Sequence, residues 1–124
     1  MTGFSVSIRE TSREISAKER VKLKDTTNAV KLDTATQEGR VIINPDMYAV
    51  LDIHNENGDD KDYVNYVVID VDGTKYVTGS ESFWNSFMDI YTEMEGESED
   101  WAIEVYRMPS KNRPGKDFIT CSIS

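Results

Sequence analysis

The stretch YVNYVVIDVDGTKYVT, residues 63–78, narrows the possible folds more than any other part of this chain. Two runs rich in Val, Ile and Tyr flank Asp72-Gly73. An Asp-Gly pair between β-forming runs is the chemistry of a two-residue type I′ turn, whose central residues both take positive φ. Residues 63–78 are therefore expected to form a β-hairpin. Directly after it the period changes. Phe83, Phe87, Ile90, Tyr91 and Met94 recur at helical spacings, with Trp84 and Met88 widening the stripe, and this predicts an amphipathic helix. Ser80 is a suitable N-cap, as is Thr78 with Glu81 three residues on, and Gly96 marks the stop.

MYAVLDIH, residues 47–54, reads as a strand with Ala49, Leu51 and Ile53 on one face. WAIEVYR (101–107) and DFITCSI (117–123) read as two more, and the prolines and glycine of MPSKNRPG between them forbid regular pairing. From Met47 the order is strand, loop, strand, tight turn, strand, helix, strand, loop, strand. Five strands with one helix between the third and fourth is the connectivity of the OB-fold. The expected fold is mainly β: a five-stranded OB-fold-like barrel over 46–124, with an N-terminal β extension over 1–45. A chain of 124 residues suits one domain, long enough to bury a core without staples. Within the extension FSVSI, RVKLK, NAVKL and RVIIN are candidate strands. ISAKERVKLK also fits a helix start, with Ser16 as cap and Glu19 three residues on. The strand reading is preferred because Val21 and Leu23 alternate with Lys22 and Lys24.

The formal charge of −9 is uneven. Residues 1–40 carry 8 basic and 6 acidic side chains, 41–106 carry 2 and 16, and 107–124 carry 4 and 1. An acidic centre thus precedes a closing segment of net +3, concentrated in SKNRPGK. Much of the acid falls in NENGDDKD and EMEGESED, which read as solvated loops. Cys121, the sole cysteine, lies in an apolar alternation and reads as a small buried thiol. The chain start lacks a signal-peptide pattern and no run of 18 apolar residues occurs, so a soluble intracellular protein without a membrane role is expected.

Catalytic supply is thin. His54 is the only histidine, reading as a structural or loop-edge residue, and no serine stands in a nucleophile-elbow pattern. The acids between Asn55 and Asp62 lack calcium-loop spacing, and no phosphate-cradling glycine loop appears. No enzyme, metal or cofactor is expected. Nucleic-acid binding has more behind it: Arg107, Lys111, Arg113 and Lys116 for phosphates, with Asn112 and Ser110 for hydrogen bonds. Tyr66, Tyr76, Tyr106 and Phe118 are candidates for base stacking, though each also fits cross-strand packing. On a strand, Arg20, Lys22 and Lys24 would form a row of charge at about 7 Å spacing. Such a row either follows a single-strand backbone or blunts a sheet edge.

KYVTGSESFWNSFMDI, SKNRPGKDFITCSI and, near the start, AKERVKLKDTTNAVKLD resemble small proteins of bacteriophages of Gram-positive bacteria, some regarded as single-stranded DNA-binding proteins. The resemblance covers most of the chain. It implies an OB-fold protein of phage replication or recombination that coats single-stranded DNA without strong sequence preference. It places Lys111, Asn112, Arg113 and Lys116 beside the DNA. It further implies the host cytoplasm, a dimer or larger homo-oligomer, and replication or recombination proteins as partners. One departure is that the chain closes on the apolar FITCSIS, where bacterial single-stranded DNA-binding proteins carry an acidic recruiting tail. Two rival readings stand beside DNA binding. One is an acidic, protein-binding inhibitor or adaptor that mimics DNA, motivated by the net −14 of residues 41–106; the other is an assembly protein with no ligand.

Overall fold

The computed structural model describes residues 4–56, 62–110 and 115–124. Its elements are β1 (Phe4–Thr11), α1 (Ala17–Lys24), β2 (Val30–Lys31), α2 (Leu32–Glu38), β3 (Val41–Ile43), β4 (Pro45–Asn55), β5 (Asp62–Asp70), β6 (Lys75–Thr78), α3 (Glu81–Met94), β7 (Ile103–Pro109) and β8 (Asp117–Ile123). The protein is mainly β. The strands form a five-stranded sheet of order β1-β4-β5-β6-β2 and a three-stranded sheet of order β3-β7-β8, and among the described residues they close no barrel. No helix among the described residues is long and apolar enough to cross a membrane. The chain divides into two compact units, residues 1–30 with 46–79 and residues 31–45 with 80–124. Each therefore draws on both the expected extension and the expected barrel.

Three helices are present among the described residues where one was expected. α3 is the expected one; α1 and α2 lie in the segment read as β extension. RVKLK is helical because Ser16 and Glu19 close a capping box: Ser16 Oγ accepts from the Glu19 amide at 3.2 Å and Glu19 Oε1 from the Ser16 amide at 3.2 Å. Alternation over four residues fits either period, and burial decides between them. Leu23 is 2% exposed and Val21 70%, whereas one strand would put both on the same face. In α2 the buried Leu32 and Thr36 are one turn apart, and Thr36 Oγ1 donates back to the Leu32 carbonyl at 2.6 Å.

The β5–β6 hairpin forms as expected, but its turn differs. Gly73 has φ 93°, and no non-glycine residue among those described has positive φ, so the turn is not type I′. Instead the Gly73 amide donates to the Asp70 carbonyl and the Asp70 amide to the Thr74 carbonyl, both at 2.8 Å. That is a three-residue loop closed by a glycine bulge. The Asp70 and Asp72 carboxylates, accepting from the Asp72 and Thr74 amides at 3.0 and 2.8 Å, favour it.

In the first unit Ala49, Leu51 and Ile53 of β4 meet Val67, Val77 and Leu23 in one buried cluster, ringed by Val6, Ile8, Ile15, Ala29 and Ile69. Lys75 of β6 fastens α1 above it, its ammonium donating to the carbonyls of Lys22 and Asp25. This satisfies acceptors at the helix end that lack intrahelical partners. In the second unit α3 lies against the edge strand β8. Ser82 Oγ donates to the Ile119 carbonyl at 2.8 Å, and Ser86 Oγ is 2.9 Å from Thr120 Oγ1. Ser80 caps α3 by accepting from the Phe83 amide, and Gly96 at φ 86° follows its end. Phe83 and Phe87 are fully buried, and Phe87 stacks on Phe83 and Trp84 and tilts against Tyr91 at centroid distances of 5.2–5.9 Å. Burial pushes the Cys121 thiol up to about 12, which leaves it protonated and unreactive.

Phe87→Ala is predicted to destabilise the protein by about 3–5 kcal/mol through the cavity it leaves, while Val21→Ala changes stability by less than about 0.5 kcal/mol. Urea unfolding followed by tryptophan fluorescence checks both.

Candidate nucleic-acid interface

The candidate side chains fall into separate groups, and the β7–β8 ladder sets which of them point outward. Its register pairs Val105 with Cys121, Arg107 with Ile119 and Pro109 with Asp117 on one face. Tyr106 with Thr120 and Met108 with Phe118 follow on the other. Beyond Pro109 the Ser110 amide donates to the Lys116 carbonyl at 2.9 Å, which closes the hairpin at its basic end. Lys111, Asn112 and Arg113 lie outside the described residues. Lys116 is exposed, and beside it the cross-strand pair Met108 and Phe118 is 43% and 39% exposed. Directly opposed side chains on one sheet face have Cβ atoms about 5 Å apart, so the pair forms a single apolar step next to cationic chain. Met108 was not anticipated; its place across from Phe118 depends on register, which sequence spacing alone does not give.

Arg107 has a different task. Its Nε donates to Thr36 Oγ1 at 3.1 Å and its Nη2 to the Asp33 carbonyl, fastening α2 to β7. Tyr106 is also engaged: its hydroxyl is 2.6 Å from Ser122 Oγ, and the Arg40 guanidinium stacks over its ring at 4.5 Å while paired with Glu104 at 2.9 Å. One ring face of Tyr106 is thereby covered.

In the first unit the register Tyr66↔Thr78 and Val68↔Tyr76 puts both tyrosines on the sheet face opposite Val67 and Val77. Both are half-buried, and burial raises the Tyr76 pKa. Ser5↔His54 and Ser7↔Asp52 pair across β1 and β4. A bulge at Arg9 interrupts that edge ladder, and the Arg9 guanidinium binds the Asp52 carboxylate. The row expected of Arg20, Lys22 and Lys24 does not form, because α1 is a helix: Arg20 and Lys24 are one turn apart while Lys22 points about 200° away. Arg20 also donates to the Ile15 carbonyl at 3.1 Å, leaving Lys22 and Lys24 as the exposed cations of the last turn.

His54 is held by two carboxylates, Asp62 at 2.6 Å from Nδ1 and Glu56 at 3.2 Å from Nε2. The hydrogen bond to Asp62, then that to Glu56, raise its pKa above the ordinary histidine value. Among the described residues no group of three or more His, Cys, Asp or Glu is placed to hold a metal ion. No family model, no curated protein and no solved structure matches this chain.

Two outcomes follow. Arg107→Ala is predicted to lower stability by about 1–3 kcal/mol in thermal or urea unfolding. Because the folded His54 pKa is raised, its stabilisation is complete below the unfolded value near 6.5 and is lost as pH rises through the folded pKa. A proton NMR titration places the His54 midpoint above that of a model histidine, and Asp62→Asn moves it down.

Proposed function

We propose that the protein binds single-stranded DNA without sequence preference, in phage DNA replication or recombination, and that the end of the β7–β8 hairpin makes the principal contact. One observation carries this reading: two large apolar side chains, Met108 and Phe118, stand exposed as a cross-strand pair beside Lys116, in a closing segment with a positive excess of +3. Apolar side chains of this size otherwise gain by burial, so an exposed pair beside positive charge suits a partner that offers both faces of a base and a phosphate. Bases stack on Phe118 with Met108 as a flexible neighbour, while Lys116, and by sequence Lys111 and Arg113, meet the phosphates. The strand and helix order from β4 to β8 is that of the OB-fold and supports the same reading, although the sheet pairing described above stays open.

A second reading, an acidic inhibitor or adaptor that binds a basic protein, has its own observation. Glu81, Asp89, Glu93 and Glu95 are exposed on or beside α3, and its last turn carries no basic residue. Acid at a helix C-terminus is unfavourable by about 0.3–1 kcal/mol per charge. Glu95→Lys, Glu97→Lys, Glu99→Lys substitution weakens such an adaptor and leaves or improves DNA binding.

Fluorescence anisotropy of a labelled 30-nucleotide single strand and its duplex, across a salt series, tests the first reading. Phe118→Ala is expected to weaken single-strand binding by about 5- to 150-fold, the equivalent of 1–3 kcal/mol for one stacked base. Lys116→Ala is expected to flatten the slope of log K against log salt by about 0.7. Wild-type protein that binds no single strand at low salt overturns the reading.

A further inference from the structure

The first unit has a groove of about 500 Å³ beside α1. That volume falls within the range of small-molecule sites, about 300–1,000 Å³. Its floor is apolar: Ile15, Leu23, Met47 and Ile69. Its charged rim has three cations, Arg13, Lys22 and Lys75, against the carboxylates Glu19 and Asp25. The lining is thus net positive in a unit whose sequence carries 8 basic and 12 acidic residues.

What matters is which of these groups are already used. Lys75 is committed to the α1 carbonyls and Asp25 to the Thr27 amide at 3.0 Å. Glu19 is committed to the Ser16 amide. Arg13 contacts Asp46 at 3.3 Å, Glu19 at 4.0 Å and the Met47 sulfur at 3.6 Å, all through Nη2, so Nε and Nη1 keep spare donors. The Lys22 ammonium and the Asn28 carboxamide, both exposed at the rim, have no hydrogen-bond or ion-pair partner among the described residues. Arg13 and Lys22 both line the groove. Two cations with unused donors and one free amide around an apolar floor suit a flat, partly apolar body that carries an anion and a hydrogen-bonding edge.

We propose that this groove is a second ligand site that seats one nucleotide, its base against Ile15 and Ile69, its phosphate on Lys22 and Arg13, and Asn28 at the base edge. The identification of the ligand as a nucleotide rests on the single-strand reading above; the groove itself does not. A nucleotide could arrive within a bound strand or free in solution, and the experiment separates the two.

Amide NMR of the full chain titrated with dTMP, thymidine and inorganic phosphate is the test. Expected are shifts at Lys22, Leu23, Asn28 and Gly73, saturating with a Kd of about 0.1–1 mM for dTMP, with thymidine and phosphate each weaker. Lys22→Ala with Asn28→Ala, both exposed positions, raises the Kd at least about tenfold without changing the thermal midpoint. If the same variant also weakens binding of the 30-nucleotide strand, the seated nucleotide belongs to a strand; if that binding is unchanged, the site takes free mononucleotide. Saturating dTMP that leaves these amides unmoved overturns the proposal, even where the 30-nucleotide strand binds and the hairpin reading stands. Groove shifts with dTMP in a protein that binds no strand support the proposal and defeat the hairpin reading instead.

Discussion

The register of β7 against β8 is the constraint on which the candidate interface depends. Ile103, Val105, Ile119 and Cys121 are all buried from the faces that this register turns inward. Burying a side chain of this size is worth about 1.5–3 kcal/mol. A slip of β8 by one residue would turn its side chains over, exposing Ile119 and Cys121 and turning Phe118 inward in their place. The outward position of Met108 and Phe118 is therefore a consequence of packing elsewhere in the same hairpin. α3 reinforces the arrangement, since the Ser82 and Ser86 hydroxyls bond to Ile119 and Thr120 and hold β8 along its length.

For an acidic chain proposed to hold a polyanion, what matters is which cations are already engaged. Arg9 is paired with Asp52, Arg13 with Asp46, and Arg40 with Glu104 and the Tyr106 ring. Arg107 and Lys75 serve backbone carbonyls. Guanidinium groups suit such fixed, multidentate contacts. The exposed cations without a partner among the described residues, Lys18, Lys22, Lys24, Lys31 and Lys116, are all lysines, whose mobile ammonium groups suit contacts without a fixed geometry. Attraction of this kind reaches about 10 Å at 0.1 M salt, so the carboxylates around the end of α3 oppose it only where they come that near.

Much of the second half was legible because its signals were long or chemically specific. The 14 residues of α3 repeat a helical stripe over several turns, and the Phe83, Phe87 and Tyr91 spacing survives any small boundary error. DFITCSI alternates for its full length and β8 follows it. The hairpin at Gly73 was also readable, but not its turn type, because Asp-Gly serves both a type I′ turn and a glycine-closed bulge loop. α1 was misread as a strand because VKLK satisfies two periods at once, and the capping box at Ser16 outweighed alternation. Sheet order is a matter of long-range pairing, so an OB-like succession of elements did not announce that β3 joins β7 while β6 pairs within the other sheet. Which cations were already committed was equally invisible: nothing near Arg107 in sequence points to Thr36, 71 residues away.

DNA seated against the end of the β7–β8 hairpin, as proposed, is within reach of photo-cross-linking. A single strand carrying bromodeoxyuridine, irradiated in complex with the protein and mapped by mass spectrometry, reports which side chains touch the bases. Expected are cross-links within residues 106–120, at Phe118 or Met108, that disappear with excess unlabelled strand. Cross-links confined to α3 or the following acidic turn, or none under conditions where the strand is bound, contradict the proposal.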